Sequence, residues 1–340
     1  MSKQLILVTG ISGFIGGHVA EELLKHGFRV RGTVRGAKYH TFVNTVKRPD
    51  LEFVEVDDVV TGDFTKALEG VEGVIHTACP LPGKKNLEEL LSIAVQGTLN
   101  VVRQAQQAGV KKIVVTSSFG ALLSPTHMPA FHGINFTENM WGEVDDQELE
   151  KNKDEKYYVY FTAKIKAERA LWAFASEHPE LEVATILPGC AIGPYAQTFP
   201  LPANSDTMAT NDFVLLVLSK QEPPFAPNWM VDVRDVGKAH VLALEKLPLP
   251  SEDPKRFTVN SATYTWGAAA AYIKESRPEL ADRLFPLEDI KPLPGVLSTL
   301  DTTRAKEILG FDEFIPVEKA LDEAVNAVLE LEKRWSSNDI

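Results

Sequence analysis

Tyr160 and Lys164 stand four residues apart in a stretch with helical spacing, so their side chains project from one face. A phenol held there could give its proton to a carbonyl oxygen, although an unperturbed pKa near ~10 makes it a poor acid at neutral pH. A neighbouring ammonium stabilises the phenolate and brings that value toward the working range. Of the seven tyrosines, Tyr157 and Tyr158 crowd the same segment, but the positions four residues on are Phe161 and Thr162. Only Tyr160 is paired with a lysine. Upstream, Ser117 and Ser118 close an apolar strand, where a hydroxyl could bond the same carbonyl oxygen. A Tyr/Lys pair on its own is more often an accident of a helix face. Its weight comes from what precedes it in the chain.

That is the turn Gly10-Ile11-Ser12-Gly13-Phe14-Ile15-Gly16, which directly follows the apolar run Leu5–Thr9 and opens a helical pattern. Gly10 permits a tight turn, Gly13 leaves room for a pyrophosphate to approach the backbone, and Gly16 lets the helix pack on the strand. The helix N-terminus then offers unbonded N–H groups and partial positive charge to phosphates. A glycine-rich turn without a ligand is the bland alternative. Enzymes specific for NAD usually place an acid at the end of the second strand. Here the segment Arg29-Val30-Arg31-Gly32-Thr33-Val34-Arg35-Gly36-Ala37-Lys38 contains none. Arg35, supported by Arg31 and Lys38, is therefore expected to bind the 2′-phosphate of NADP(H).

The elements that must position these groups alternate in sequence. Strands are predicted at Leu5–Thr9, Val30–Val34, Leu51–Val56, Gly73–Thr77, Lys111–Thr116 and Val183–Leu187. Helices are predicted at Gly13–His26, Leu87–Ala108 and Tyr158–Ala175. Apolar strands separated by helices imply a parallel sheet covered on both faces. The expected class is α/β, a Rossmann doubly wound sheet with a smaller C-terminal substrate lobe. After Pro188 the alternation breaks among prolines, and helical patterns return at Asp235–Lys246, Trp266–Ser276 and Val317–Leu331. Residues 1–188 are expected to form the NADP-binding domain with the catalytic residues. Residues 189–340 should be mainly a substrate-binding lobe, with some segments returning to the sheet. The acidic run from Glu143 to Glu150 is expected to be a solvated loop, since it lacks His or Cys and any ordered ligand spacing. No metal site is expected.

A formal net charge of −12 argues against nucleic acid or anionic lipid as a partner. The two cysteines, Cys79 and Cys190, lie far apart inside apolar runs and suit a reducing compartment. No signal or transmembrane segment is evident, so a cytoplasmic location is expected, as a monomer or homodimer.

Taken together, the chain resembles the extended short-chain dehydrogenase/reductases, and within them the dihydroflavonol reductases and fungal aldehyde/ketone reductases. The resemblance runs from Leu5 to about Leu331. It is carried by the glycine turn, Val30–Arg35, His76-Thr77-Ala78, Val115–Ser118, Tyr160–Lys164, Pro188 with Gly193-Pro194, and Val231–Val236. It implies that Ser118 is the catalytic hydroxyl, Tyr160 the proton donor, and Lys164 the residue that holds the nicotinamide ribose and tunes the phenol. It also implies that Asp58 and Val59 meet the adenine, that Thr77, Ala78 and Thr116 line the cofactor, and that Pro188 and Ala191 pack on the nicotinamide. The run Asp232–Asp235 would be structural, with Arg234 able to approach the cleft. Two positions depart from the common pattern: Cys79, where many relatives carry serine, and Cys190, where some carry a bulky residue.

The activity expected is NADPH-dependent reduction of a compact ketone, keto ester or aldehyde, in a pocket walled by Leu81, Phe119, Cys190, Phe199 and Trp229. A nucleotide-sugar epimerase or dehydratase of the same fold is the alternative enzyme. A non-enzymatic NADP-sensing regulator is the alternative outside catalysis.

Overall fold

Seven runs of β-branched and aliphatic residues pair into one parallel sheet: β1 (Leu5–Thr9), β2 (Arg29–Val34), β3 (Leu51–Glu55), β4 (Gly73–His76), β5 (Lys112–Thr116), β6 (Glu182–Pro188) and β7 (Arg256–Val259). The computed structural model describes residues 3–80, 83, 85–221, 229–249 and 255–338. In space the strands run β7-β6-β5-β4-β1-β2-β3. The strand order therefore reverses between β1 and β4, and a crevice opens at the carboxyl ends of those two strands.

Alternation within a strand sends successive side chains to opposite faces. From β1, Ile6 and Val8 enter the core that includes α1 (Phe14–Lys25) and α5 (Val233–Lys246). Leu5 and Leu7 enter the opposite core, with α3 (Thr98–Gln107) and the lower half of α4 (Lys156–Glu177). Each fully buried aliphatic side chain of this kind contributes about 1.5–3 kcal/mol. Between α1 and α5 the approach is close. A Cβ on Gly237 would lie 3.0 Å from the His18 carbonyl carbon, so glycine is needed there.

The smaller lobe is built on a three-stranded sheet of Cys190–Ile192, Trp229–Asp232 and Ala262–Thr263. Against it pack the helices Asp212–Leu218 and Trp266–Ser276 and the long α6 (Val317–Asn338), whose Leu321, Ala324, Val325, Val328 and Leu331 form one apolar stripe.

Every predicted strand is present within a residue or so of its expected ends. Three features differ. The helix expected over Leu87–Ala108 has a π-helical turn at Ser92–Gly97 between Leu87–Leu91 and α3. At its end a Cβ on Gly97 would meet Val59 Cγ1 at 2.8 Å, so the glycine admits the loop after β3. The acidic run contains a short helix, Asp146–Lys151, rather than only loop. Asp145 caps it by accepting from the Gln147 and Glu148 N–H groups at 2.8 and 2.9 Å. Finally, β7 and the helix α2 (Gly36–Thr45) had no clear pattern in the sequence.

Candidate active site

The glycine turn is shaped by contact as much as by conformation. Gly10 adopts φ +75°, and a Cβ there would lie 2.8 Å from the Ala78 nitrogen and 2.9 Å from Thr77 Oγ1. A Cβ on Gly16 would strike the Gly10 carbonyl oxygen at 2.2 Å. Thr77 and Ala78, at the end of β4, are thus pressed against the turn, and Thr77 Oγ1 donates to the Thr9 carbonyl at 2.8 Å. The first turn of α1 carries no acidic side chain, and no side chain caps it. Its N–H groups remain open to an anion.

At the far end of the crevice Arg35 is the N-cap residue of α2. It is exposed, its guanidinium makes no hydrogen bond to another described residue, and it acts electrostatically on Lys38 and Asp58. Lys38 is held below its usual pKa by burial and then by Arg35, as two cations sharing one place require. Arg31 does not join them. It lies within β2, four residues before Arg35, and its guanidinium donates to Glu52 Oε1 at 2.7 Å and to the carbonyls of Ala67 and Glu69 at 3.1 and 2.7 Å. Arg31 ties β2 to β3 and the segment beyond, and the supporting phosphate role expected for it is withdrawn. Asp58 spends Oδ1 on the Val60 and Thr61 N–H groups, which with a smaller pull from Arg35 keep its carboxyl below the usual range. Its neighbour Asp57, passed over in the sequence, accepts from the Gly36 N–H at 3.0 Å and so touches the start of α2. Val59 is fixed by Gly97 and by Asn100 Nδ2, which donates to its carbonyl at 3.1 Å.

The third cluster stands at the carboxyl ends of β4, β5 and β6. Helix α4 starts two residues earlier than expected because Glu155 caps it, accepting from the Tyr158 N–H at 2.7 Å. Along one face of α4 run Tyr160, Lys164 and Glu168. Lys164 Nζ lies 5.8 Å from the Tyr160 ring centroid and donates to the Thr116 carbonyl at 3.2 Å. Burial raises the Tyr160 pKa, while Lys164 and, more weakly, the nearby Ser118 hydroxyl oppose that rise. Burial likewise pulls Lys164 down, but Cys79, Tyr160 and Glu168 outweigh it, so the ammonium is held charged.

The two serines have different partners. Ser117 Oγ donates to Glu168 Oε2 at 2.6 Å. Glu168 is itself buried and accepts from Thr185 at 2.7 Å and from Arg256 Nε at 2.8 Å. Ser117 therefore faces the protein interior, and Ser118 faces the phenol. Behind them Thr116 Oγ1 meets His240 Nε2 at 2.6 Å, while His240 Nδ1 lies 2.7 Å from the Val236 carbonyl. The carbonyl can only accept, so Nδ1 carries the proton and Thr116 donates to Nε2. Glu168, Arg256 and His240 were all missed in the sequence. Glu168 sits four residues past Lys164 and was legible as a continuation of the same face; Arg256 and His240 arrive from segments far along the chain.

Pro188 and Ala191 lie at the end of β6 and the start of the lobe, both buried. Cys190 between them is partly exposed and acts on both Tyr157 and Tyr160; burial pushes its thiol up to about 12. The expected aromatic walls are placed elsewhere. Trp229 is 1% exposed, its indole N–H donates to the Ser298 carbonyl at 2.8 Å, and it packs edge-on to Phe119 at 5.2 Å. Phe119 also stacks on Phe161 at 5.3 Å, so both belong to the core beneath the site. Phe199 lies against Gly17 and Phe42 on the α1–α2 side, away from Tyr160. Large aromatic surfaces gain most by full burial, which is why Phe119 and Trp229 leave the wall, while Phe199 is only partly buried. Leu81 lies outside the described residues. Arg234 is taken up by Asp232 and Glu323, each at 2.6 Å, and joins α5 to α6. A small cavity of ≈ 20 Å³ beside Lys164, Ser117 and Glu168 is the size of one water and too small for a substrate.

Three histidines around this region, His76 and His240 buried and His127 half-buried, stay neutral. Burial lowers His76 to about 3 and both His127 and His240 to about 4. A depressed folded value means that the unfolded chain binds the proton first, so stability is present above pH 6.5 and is lost as pH falls toward 4. At pH 5 the loss is about 2 kcal/mol per histidine. Asp235, raised by burial to about 6, has the opposite sign and regains about 1 kcal/mol over that interval. The midpoint of thermal unfolding should therefore drop markedly between pH 7 and pH 5 in scanning calorimetry. A flat profile there would remove the buried neutral histidines from the account.

The sequence profile of the NAD dependent epimerase/dehydratase family matches residues 6–253. The chain belongs to this family and is an extended short-chain dehydrogenase/reductase, close to the dihydroflavonol and cinnamoyl-CoA reductases and the fungal aldehyde and ketone reductases. Aldehyde reductase 2 of Sporidiobolus salmonicolor is 30% identical over 322 residues, 90% of this chain and 90% of that one. Cinnamoyl-CoA reductase 1 of Oryza sativa subsp. japonica is 31% identical over 329 residues, 95% of this chain and 90% of that one. The NADPH complex of Gre2 from Candida albicans shares the fold with a TM-score of 0.82 at 26% identity, over 96% of this chain and 99% of that one. No helix among the described residues is long and apolar enough to cross a membrane.

Proposed function

We propose that this protein is an NADPH-dependent carbonyl reductase that converts a small aldehyde or ketone to an alcohol. The observation that carries the reading is the convergence of Ser118, Tyr160 and Lys164 at the mouth of a crevice whose other end holds a glycine turn and Arg35. The residues fit a dinucleotide: the turn leaves no Cβ between the backbone and a pyrophosphate, the α1 N-terminus is uncapped, and Arg35 has no competing bond. When bound, the nicotinamide supplies a hydride to the carbonyl carbon. Tyr160 gives its proton to the carbonyl oxygen, and the Ser118 hydroxyl bonds the oxyanion as charge develops there. Lys164, fixed by the Thr116 carbonyl, stabilises the phenolate that results and reaches the nicotinamide ribose. Ser12, Phe14 and Ile15 at the start of α1 border the pyrophosphate. Asp58 and Val59 border the adenine, Thr77, Ala78 and Thr116 the cofactor's central part, and Pro188 and Ala191 the nicotinamide face. Cys190 forms part of the pocket wall, closed by the lobe that begins near residue 189. The relatives named for aldehyde and cinnamoyl-CoA reduction support the reaction class.

Initial rates with NADPH and NADH on a panel of aldehydes and ketones test the reading. Wild type should prefer NADPH by about tenfold or more, as hydrogen bonds between a guanidinium and a phosphate predict. Arg35→Asp should raise the KM for NADPH by at least that factor and leave the KM for NADH flat or lower. Equal use of both cofactors, or no response in the variant, would remove Arg35 from the 2′-phosphate. Turnover of a nucleotide sugar with no reduction of any panel member would overturn the carbonyl reductase reading itself.

A further inference from the structure

We propose that Tyr157 is a second substrate-binding phenol, and that it selects a bifunctional substrate, a keto ester or dicarbonyl, by donating to the oxygen that is not reduced. This deepens the carbonyl reductase reading and rests on it.

Tyr157 precedes Tyr160 by three residues on α4, about 60° around the axis and about 4.5 Å along it, so both rings leave the same side of the helix. Both pack on the cluster of Phe119 and Phe161. The Tyr157 ring is held on two sides, by Lys156 Nζ at 5.2 Å and by the His127 ring at 6.4 Å. Burial, then Cys190 and Asp212, then Glu155, keep its phenol protonated well above the usual range. Cys190 and Asp212 belong to the lobe, and Cys190 also acts on Tyr160. One lobe residue thus confronts both phenols across the cleft.

Two other phenols in the protein are occupied. Tyr195 donates to the Met208 carbonyl at 3.0 Å and Tyr272 to Asp322 at 2.9 Å. The Tyr157 hydroxyl makes no hydrogen bond to another described residue and is not among the sealed, unpaired polar atoms. It remains open to a ligand. A donor fixed one turn from the proton donor suits a substrate with two oxygens. A lone ketone would leave it facing a methylene group.

The test compares wild type with Tyr157→Phe, which deletes only the hydroxyl, on ethyl acetoacetate and on a linear methyl ketone of the same chain length. The kcat/KM for ethyl acetoacetate should fall about five- to tenfold, the range of a neutral hydrogen bond, while that for the methyl ketone stays within about twofold. The KM for NADPH should not move. If both substrates lose rate equally, or neither does, Tyr157 does not read the second oxygen, and the carbonyl reductase assignment survives. If wild type reduces neither substrate nor any other carbonyl, both readings fall together.

Discussion

Tyr160→Phe is expected to lower kcat for carbonyl reduction by about 10²–10⁴-fold, with the Kd for NADPH changed by no more than a few-fold. The size follows from the loss of a positioned general acid. Burial holds the Tyr160 proton in place, while Lys164 and Ser118 ease its departure. The phenol is thus a protonated donor whose conjugate base is stabilised at the moment of transfer. The groups assigned to phosphate and adenosine recognition lie at the glycine turn and at Arg35, across the crevice, and the substitution leaves them intact. Phe161 and Phe119 pack beneath the ring, so a phenylalanine at 160 keeps its contacts and folding should be unaffected. Ser118→Ala should follow Tyr160→Phe in direction with a smaller loss. Ser117→Ala should act mainly on stability, because its hydroxyl is spent on Glu168. Near-normal turnover by Tyr160→Phe in stopped or steady-state assays would end its role as proton donor.

Groups that lie close in sequence, or that repeat with one helical or strand period, were the legible ones. Tyr160 and Lys164 share a helix face and the glycine turn joins adjacent elements, so the two patterns, each weak alone, were legible in combination. The alternation of strands and helices gave the sheet for the same reason. What stayed hidden depends on side chains meeting from distant segments. Arg31 and Arg35 look alike on one strand, but only the fold supplies Glu52 and the Ala67 and Glu69 carbonyls to occupy the first. Phe119, Phe199 and Trp229 look like pocket walls until packing shows them covering each other or α1. Composition cannot tell a wall from a floor. The strand β7 is four residues long and enters the sheet only beside β6, so its register is a tertiary fact. The same holds for the ion pair that it brings to the catalytic helix.

That pair should be the most costly in the protein to break. Arg256 is fully buried on β7, and Glu168 on α4 is 2% exposed at its side chain. The guanidinium donates to both carboxylate oxygens, at 2.8 and 3.2 Å, to the carbonyls of Glu138 and Met140, and lies flat over Trp141 at 3.7 Å. Glu168 in turn accepts from Ser117, Thr185 and Trp172. Four of the five guanidinium N–H groups and both carboxylate oxygens are answered, so the pair tolerates burial. Removing one partner does not return the other to water. Arg256→Leu would leave a carboxylate sealed in the core, and breaking buried pairs in this way costs about 3–5 kcal/mol. Urea unfolding should show that loss. Adding Glu168→Gln to Arg256→Leu should recover part of it, because the amide carries no charge, keeps its oxygen for one of the Ser117 and Thr185 hydroxyls and can donate its NH2 to the other. The rescue distinguishes an orphaned charge from a lost contact, since a second lost contact would only add to the damage. Below the unfolding transition, Arg256→Leu should also lower kcat more than it raises the KM for NADPH. Ser117 is tethered to Glu168, and Ser118 follows it in the chain, so a loosened carboxylate shifts the hydroxyl beside Tyr160 and leaves the glycine turn alone. A cost under about 1 kcal/mol for Arg256→Leu, or an additive double variant, would show that the pair is not what holds the catalytic serines in register.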